Sequence, residues 1–342
     1  MKGLVFEGRR RVALVDLPDP TPATGQVVVR VTASGLCGSD LHYYRADAAM
    51  EAAGAPCVAG HEPAGVIEAL GQGVDPSRFG AGDRVMIHHY AGCGACQSCR
   101  SGWTQMCTAG PAIVYGKNAH GAHAPYMLVQ ADSVLPLPES LSFVAGAAIG
   151  CGTGTAWGAL ERIGEVGGRD LVVLGQGPVG LSVTMLATAR GARVIAVDPA
   201  PNRLAQAARF GAVGLVDPDT VDVVSAIRDL TDGVGAYAAV ESSGASAAAD
   251  AALSVLAPWG RLCLVGLGGA VSIDVRRMLP RQVTVMTSWS MSSVQQLACA
   301  AFIARNELPV DDLFTHRWCL DQAERASTEF DQQSGGKAAF VF

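Results

Sequence analysis

Charge is scarce in this chain. Of its 342 residues only 16% are charged and 6% aromatic, and the basic residues form no long run. That argues against a nucleic-acid groove and a patch for anionic membranes. With 25 Lys+Arg against 31 Asp+Glu the formal charge is -6, which favours a polar small molecule as partner. No apolar run approaches the roughly 20 residues of a membrane span. The apolar patch in the opening MKGLVFEGRRRVALVD is also too short for a secretion signal. Internal repeats and long low-complexity segments are missing as well. The expectation is a soluble, cytoplasmic protein that binds neither nucleic acid nor membrane. In that compartment its ten cysteines are thiols or metal ligands rather than a disulfide frame.

Apolar residues and glycine are what the chain has in quantity. The apolar share is 49%, enough for a sizeable core, and the length suits two domains at roughly 150 residues each. There are 41 glycines, well above the usual share of about 7%. Their spacing is aperiodic, so collagen is excluded and tight turns are implied.

The first half reads as β-rich. GQVVVRVTAS, VAGHEPAGVIEALG and DRVMIHHY are short apolar runs punctuated by Gly, Pro and Asp, the pattern of a small barrel-like domain. Near Gly150 the rhythm changes. LVVLG, ARVIAVD, LVDP, AYAAVES and RLCLVGL read as strands. VGLSVTMLATARG, PNRLAQAARFG and AAADAALSVLAP read as helices, the first two closed by Gly191 and Gly211. Such alternation gives parallel strands with crossover helices, a doubly wound α/β sheet. After about Ser290 a helical VQQLACAAFIARNEL and a terminal KAAFVF strand suggest a tail that folds back onto the first domain.

Three constellations carry chemistry. Cys93, Cys96, Cys99 and Cys107 form a C-x2-C-x2-C-x7-C pattern in a glycine-rich loop. Four thiolates fill a tetrahedral zinc shell and leave no open position, so that site is structural. Cys37, His61 and Cys151 are scattered, yet one His and two Cys make a three-ligand set with a position left for water or substrate. Taken singly, each of the three is more often an ordinary packed side chain than a ligand. The third constellation is Gly175-Gln-Gly177-Pro178-Val179-Gly180, between a strand and a helix, where backbone N–H groups and the helix N-terminus can face a pyrophosphate. Asp198 ends the next strand, placed to accept hydrogen bonds from ribose hydroxyls and to repel a 2′-phosphate. The cofactor this predicts is NAD rather than NADP.

Together, and in this order, GHE, the four-cysteine lobe, the GCG segment and the dinucleotide fingerprint resemble the zinc-containing medium-chain alcohol dehydrogenases over essentially the whole chain. The resemblance implies an N-terminal GroES-like β-barrel catalytic domain, residues 1–151 and 290–342, with a structural zinc lobe at about 88–110. It implies a Rossmann NAD-binding domain over 152–289. It makes Cys37, His61 and Cys151 ligands of a catalytic zinc and the four-cysteine set ligands of a second. Glu62 matches a carboxylate that can approach the metal, Asp40 one that orients His61, Ser39 the hydroxyl that bonds the substrate oxygen, and His42 the outer end of a proton relay. Thr155 matches a residue that packs on the nicotinamide, and Val265 and Ser288-Trp289 match segments whose backbone holds its carboxamide. Lys337 falls where the family often has a basic residue on the cofactor pyrophosphate, and Arg203 lies over the adenine or is a plain surface arginine.

The reaction so implied is hydride transfer between an alcohol and NAD at a Lewis-acid zinc, the proton leaving through Ser39, the cofactor ribose and His42. Tyr43, Tyr44, Trp103, Tyr115 and Trp289 are candidate pocket residues. Gly38 stands where some members carry a charged clamp for the pyrophosphate. Cys151 favours the alcohol type of site over the polyol and threonine branch, which tends to have Glu there, but CGSDLH is shared with that branch. The alternative is therefore a sorbitol- or threonine-dehydrogenase-like enzyme. A reading of another class, a non-catalytic zinc-binding interaction module, needs basic and aromatic positions, and the loop from Cys93 to Cys107 offers Arg100 and Trp103. The resemblance and the compact length further imply a homodimer or homotetramer.

Overall fold

The computed structural model describes residues 1–49, 51–52, 55–333 and 335–342. They form two units, one comprising Met1–Gly154 and Met291–Phe342, the other Thr155–Ser290.

The first unit is built on the strand Gln26–Leu36. Val27, Val29 and Val31 point to one face at the period of 2 that a strand imposes, and pack with Ile67, Val85, Ile87, Met127 and Val129. On one side this strand pairs antiparallel with Glu62–Leu70. On the other it pairs with Tyr126–Gln130 along its first half and with Lys337–Val341 along its second. The sheet continues through Arg84–Ile87 to Val134–Pro136 at one end and through Lys337–Val341 to Phe314–Trp318 at the other. The tail after Met291 thus returns to the first unit as its helix Ser293–Arg305 and the two last strands. The helix starts at a capping box, in which the Ser292 hydroxyl accepts from the Gln295 N–H while the Gln295 side chain accepts from the Ser292 N–H.

The second unit is a parallel sheet in the order Gly214–Val216, Arg193–Val197, Asp170–Leu174, Ala236–Glu241, Leu256–Leu264, Thr284–Thr287. Leu171, Val172 and Val173 are fully buried, as expected of a strand covered on both faces, so its run is continuously apolar rather than alternating. The helix Pro178–Ala189 is buried over most of its circumference, which is why it reads as apolar throughout. Gly191 and Gly211 follow the ends of their helices at φ 83° and 95°, the left-handed conformation that glycine adopts at least cost.

Two elements depart from the sequence expectation. AAADAALSVLAP is not helical to its end: the helix stops at Ser254 and the strand Leu256–Leu264 begins at once, with Leu256 paired to Ala236. Pro258 lacks an N–H and disfavours helical geometry in the residue before it, which makes the switch the cheaper course. The helix Val223–Leu230 is also present, capped by Asp222, whose carboxylate accepts from the Ser225 N–H. Among the described residues no single helix is long and apolar enough to cross a membrane.

The fingerprint turn tolerates little. A Cβ on Gly180 would stand 1.8 Å from the Gly175 carbonyl oxygen. Gly180→Ala is expected to cost about 2 kcal/mol or more and to lower the melting temperature by several degrees; an unchanged melting curve would show that the turn can relax around a methyl group.

Candidate active site

Strand ends deliver the first cluster. Cys37 follows the strand Gln26–Leu36, and His61 and Glu62 stand at the start of Glu62–Leu70, the register pairing Gly35 with Glu62. Cys151 lies between the helices Phe143–Ile149 and Gly152–Ile163. The donor atoms of Cys37, His61, Glu62 and Cys151 all come within 4.8 Å of one another. The Sγ atoms of Cys37 and Cys151 are 3.9 Å apart. Two thiolates on one tetrahedral zinc, with bonds near 2.3 Å, should be about 3.8 Å apart. The donor set therefore fits zinc in both chemistry and spacing.

Asp40 supports two of these ligands. Its Oδ1 lies 3.2 Å from His61 Nδ1 and its Oδ2 accepts from the Cys37 N–H at 2.9 Å. A carboxylate is the partner that fixes a ligating imidazole's tautomer and raises its basicity, leaving Nε2 for the metal. Burial disfavours a charged His61, but the Asp40 charge and hydrogen bond outweigh it and hold the ring well above its ordinary pKa. The Cys37 thiol is held well down, first by its hydrogen bond with Cys151, against the upward push of burial. The same bond, with burial, pushes Cys151 well up. Ser39 Oγ lies 3.4 Å from His61 Nε2. His42 is exposed, on the short helix Asp40–Arg45 that follows.

Lys337 is not where the resemblance put it. Instead of reaching a cofactor pyrophosphate it is 1% exposed, with its ammonium on the fully buried Glu62 carboxylate. The cause is register: Ala338 pairs with Leu36, so Lys337 enters its strand beside the end of Gln26–Leu36, and its Nζ also donates to the Leu36 carbonyl at 3.4 Å.

The second cluster is the cysteine lobe. Cys93, Cys96, Cys99 and Cys107 likewise have their sulfurs within 4.8 Å, with Cys93 and Cys99 at 3.9 Å. The N–H groups of Ala95 and Cys96 donate to Cys93 Sγ. Backbone N–H groups of Cys99 and Thr108 bring Cys96 down to about 5, which favours the thiolate a metal requires. Gly92 has to be glycine, since a Cβ there would lie 2.4 Å from Cys99 Sγ.

The second unit carries the nucleotide candidates. Gly175 takes φ 86°, Gly177 caps the helix Pro178–Ala189 in extended conformation, and Pro178 opens that helix, followed by Val179 and Gly180. A Cβ on Gly177 would meet nothing within 4 Å, which leaves room at the helix N-terminus for an anionic group. Asp198 is buried, its oxygens accepting from the N–H groups of Gln176 at 2.6 Å and Ala200 at 2.8 Å. Each oxygen keeps a lone pair for a ribose hydroxyl. Arg203 is an ion-pair neighbour of Asp198 at 3.9 Å and is mostly buried, so it is not a plain surface arginine. Thr155 is buried, the Val265 N–H donates to the Glu241 carbonyl, and Trp289 is half exposed.

Of the aromatic pocket candidates, Tyr44 and Tyr115 belong to the cores. Tyr44 packs edge-on against Phe6, and the Tyr115 hydroxyl accepts from the Gln130 N–H. Tyr43 and Trp103 are partly buried. A residue that the sequence reading passed over stands nearer the chemistry. The His89 ring centre is 5.1 Å from that of His61, and its Nδ1 donates to the carbonyl of Gly150, the neighbour of Cys151. A carbonyl only accepts, so Nδ1 carries the proton; burial keeps His89 well below its ordinary pKa and neutral, with a lone pair on Nε2. Its place in HHY, just before the cysteine lobe, was the available signal.

An alcohol dehydrogenase GroES-like domain model matches residues 23–139, and a zinc-binding dehydrogenase model matches 178–304. An Escherichia coli (strain K12) protein described as the uncharacterized zinc-type alcohol dehydrogenase-like protein YphC is 38% identical, covering 100% of this chain and 99% of its own length. The L-threonine 3-dehydrogenase of Pyrococcus abyssi is 30% identical over 96% of this chain and 94% of its own. Among solved structures, the alcohol dehydrogenase TADH from Thermus sp. ATN1 superposes with a TM-score of 0.92 at 29% identity, covering 100% of this chain and 99% of that one.

Asp40 ties the metal cluster together, so Asp40→Ala is expected to weaken metal retention at that cluster by about 10- to 100-fold. Competition with a chelator reads this directly, and retention equal to the natural protein's would remove Asp40 from the site.

Proposed function

The chain belongs to the zinc-type alcohol dehydrogenase family, and from that premise we propose that it transfers a hydride between an alcohol and NAD, giving the carbonyl compound and NADH, with two zinc ions per chain. The observation that carries this reading is the Cys37, His61 and Cys151 cluster, with its 3.9 Å sulfur spacing and its Asp40 support. Zinc held there would supply Lewis-acid polarisation of the substrate oxygen, and NAD would supply the hydride acceptor. The remaining work falls to this chain's own residues. Asp40 fixes the His61 ring, Ser39 takes the proton of the substrate hydroxyl, and exposed His42 passes it to water. Gly175, Gly177 and Gly180 admit the pyrophosphate, and Asp198 selects the 2′-hydroxyl by repelling a 2′-phosphate. Cys93, Cys96, Cys99 and Cys107 hold a second, structural zinc.

A polyol or amino-alcohol substrate is the second reading. It is favoured by His89, a neutral polar ring beside the metal ligands, and agrees with a relative named for L-threonine. A Nε2 lone pair can accept from a second hydroxyl or an ammonium group, which an apolar alcohol does not offer.

Purified protein should contain two zinc ions per chain and reduce NAD with members of a panel of simple alcohols, polyols and hydroxy amino acids. No NADH absorbance with any of them, or one zinc or fewer, would sink the assignment; polyols or hydroxy amino acids outrunning simple alcohols would select the second reading. Asp198→Ala should erode the preference for NAD over NADP, and an unaltered ratio would remove the basis for the cofactor.

We also propose that the chain self-associates. Among the described residues the strand Thr284–Thr287 pairs on one side only. The adjoining stretch exposes Trp259, Leu267, Ile273, Val275 and Leu279, a load of apolar surface unusual for a monomer. Light scattering should give a multiple of 35.2 kDa, and a monomer would refute this.

A further inference from the structure

Glu62 has no task in the hydride transfer proposed for this chain, and a role for it presupposes that reading of the site. Its side chain is fully buried, and Oε1 has no hydrogen-bond partner among the described residues although it stands in the metal cluster. Oε2 is taken by the Lys337 ammonium. The two come from strands on opposite sides of Gln26–Leu36, and the carboxylate crosses at Gly35, where a Cβ would lie 2.0 Å from Oε2. A bare stretch of backbone is thus the channel through which Glu62 meets its cation.

Zinc accepts carboxylate oxygen readily, and four protein ligands close a site that three leave open. Glu62 therefore stands between two cations. Zinc and Lys337 together bring three positive charges against the three negative charges of Cys37, Cys151 and Glu62. Deleting the ammonium would strand a buried carboxylate, a cost relieved by taking a proton or, beside a dication, by ligation. We propose that Lys337 is a positioning residue that holds Glu62 off the Cys37–His61–Cys151 metal, keeping the fourth coordination position free for a substrate oxygen.

Cobalt(II) in place of zinc tests this, because its visible absorption reports the ligand set and imidazole added as a probe reports whether a position is open. The natural protein should respond to imidazole. Lys337→Met should show an altered spectrum before any probe is added and bind imidazole at least about tenfold more weakly. Lys337→Arg should behave as the natural protein, and Lys337→Met with Glu62→Gln should recover the response, a rescue that a merely structural lysine would not give. If Lys337→Met does not fold, Glu62→Gln alone decides. Unchanged imidazole affinity means Glu62 was already off the metal, and affinity raised about tenfold means it was a ligand and overturns the proposal. A folded Lys337→Met that titrates like the natural protein overturns this inference alone. A natural protein whose cobalt spectrum ignores imidazole overturns the proposed function and this inference with it.

Discussion

The ladder of hydrogen bonds along Gln26–Leu36 is the constraint on which the candidate centre depends. Gly35 against Glu62 on one side and Leu36 against Ala338 on the other bring residues from three distant stretches to one sheet end. A slip of one residue would turn each side chain to the opposite face and dissolve the cluster. Because one face of that strand is packed with Val27, Val29 and Val31 against Ile67, Val85 and Ile87, such a slip would also expose the core. The hydrophobic pattern that holds the first unit together therefore also holds the site in register.

Around that sheet end the difficulty is charge. Asp40, His61, Glu62 and Lys337 are all buried or nearly so, where an unpaired ion is costly. They are arranged as pairs, Asp40 with His61 and Glu62 with Lys337, so that each acid near the metal ligands already has a partner. Burial pulls the Lys337 ammonium down, but the charges of Glu62, Cys37 and Cys151 more than restore it, and it stays a cation. The pairing also explains the glycine at position 35, where any side chain would displace the carboxylate.

The second unit meets its demands with backbone geometry. The turn from Gly175 to Gly180 closes so tightly that a methyl group does not fit at Gly180, and Gln176 anchors it. The Gln176 N–H reaches Asp198 on the next strand, its side-chain amide donates to the Val173 carbonyl, and its Oε1 accepts from the Thr184 hydroxyl. Asp198 is thereby fixed in place by the turn itself.

Sequence alone carried the parts of this protein that depend on short spacings and local geometry. The four-cysteine loop, the glycine fingerprint between strand and helix, the glycines after helix ends and the alternation of the second unit were all legible, because each is decided within about twenty residues of chain. Cys37, His61 and Cys151 could be grouped by residue type, but only the resemblance assigned them to one zinc, since no spacing relates residues that far apart. Tertiary structure alone decided that Lys337 meets Glu62 rather than a cofactor, that His89 stands beside His61, and that Tyr44 and Tyr115 are core. Those outcomes turn on which strand pairs with which and in what register, long-range choices that the neighbours of a residue along the chain do not encode.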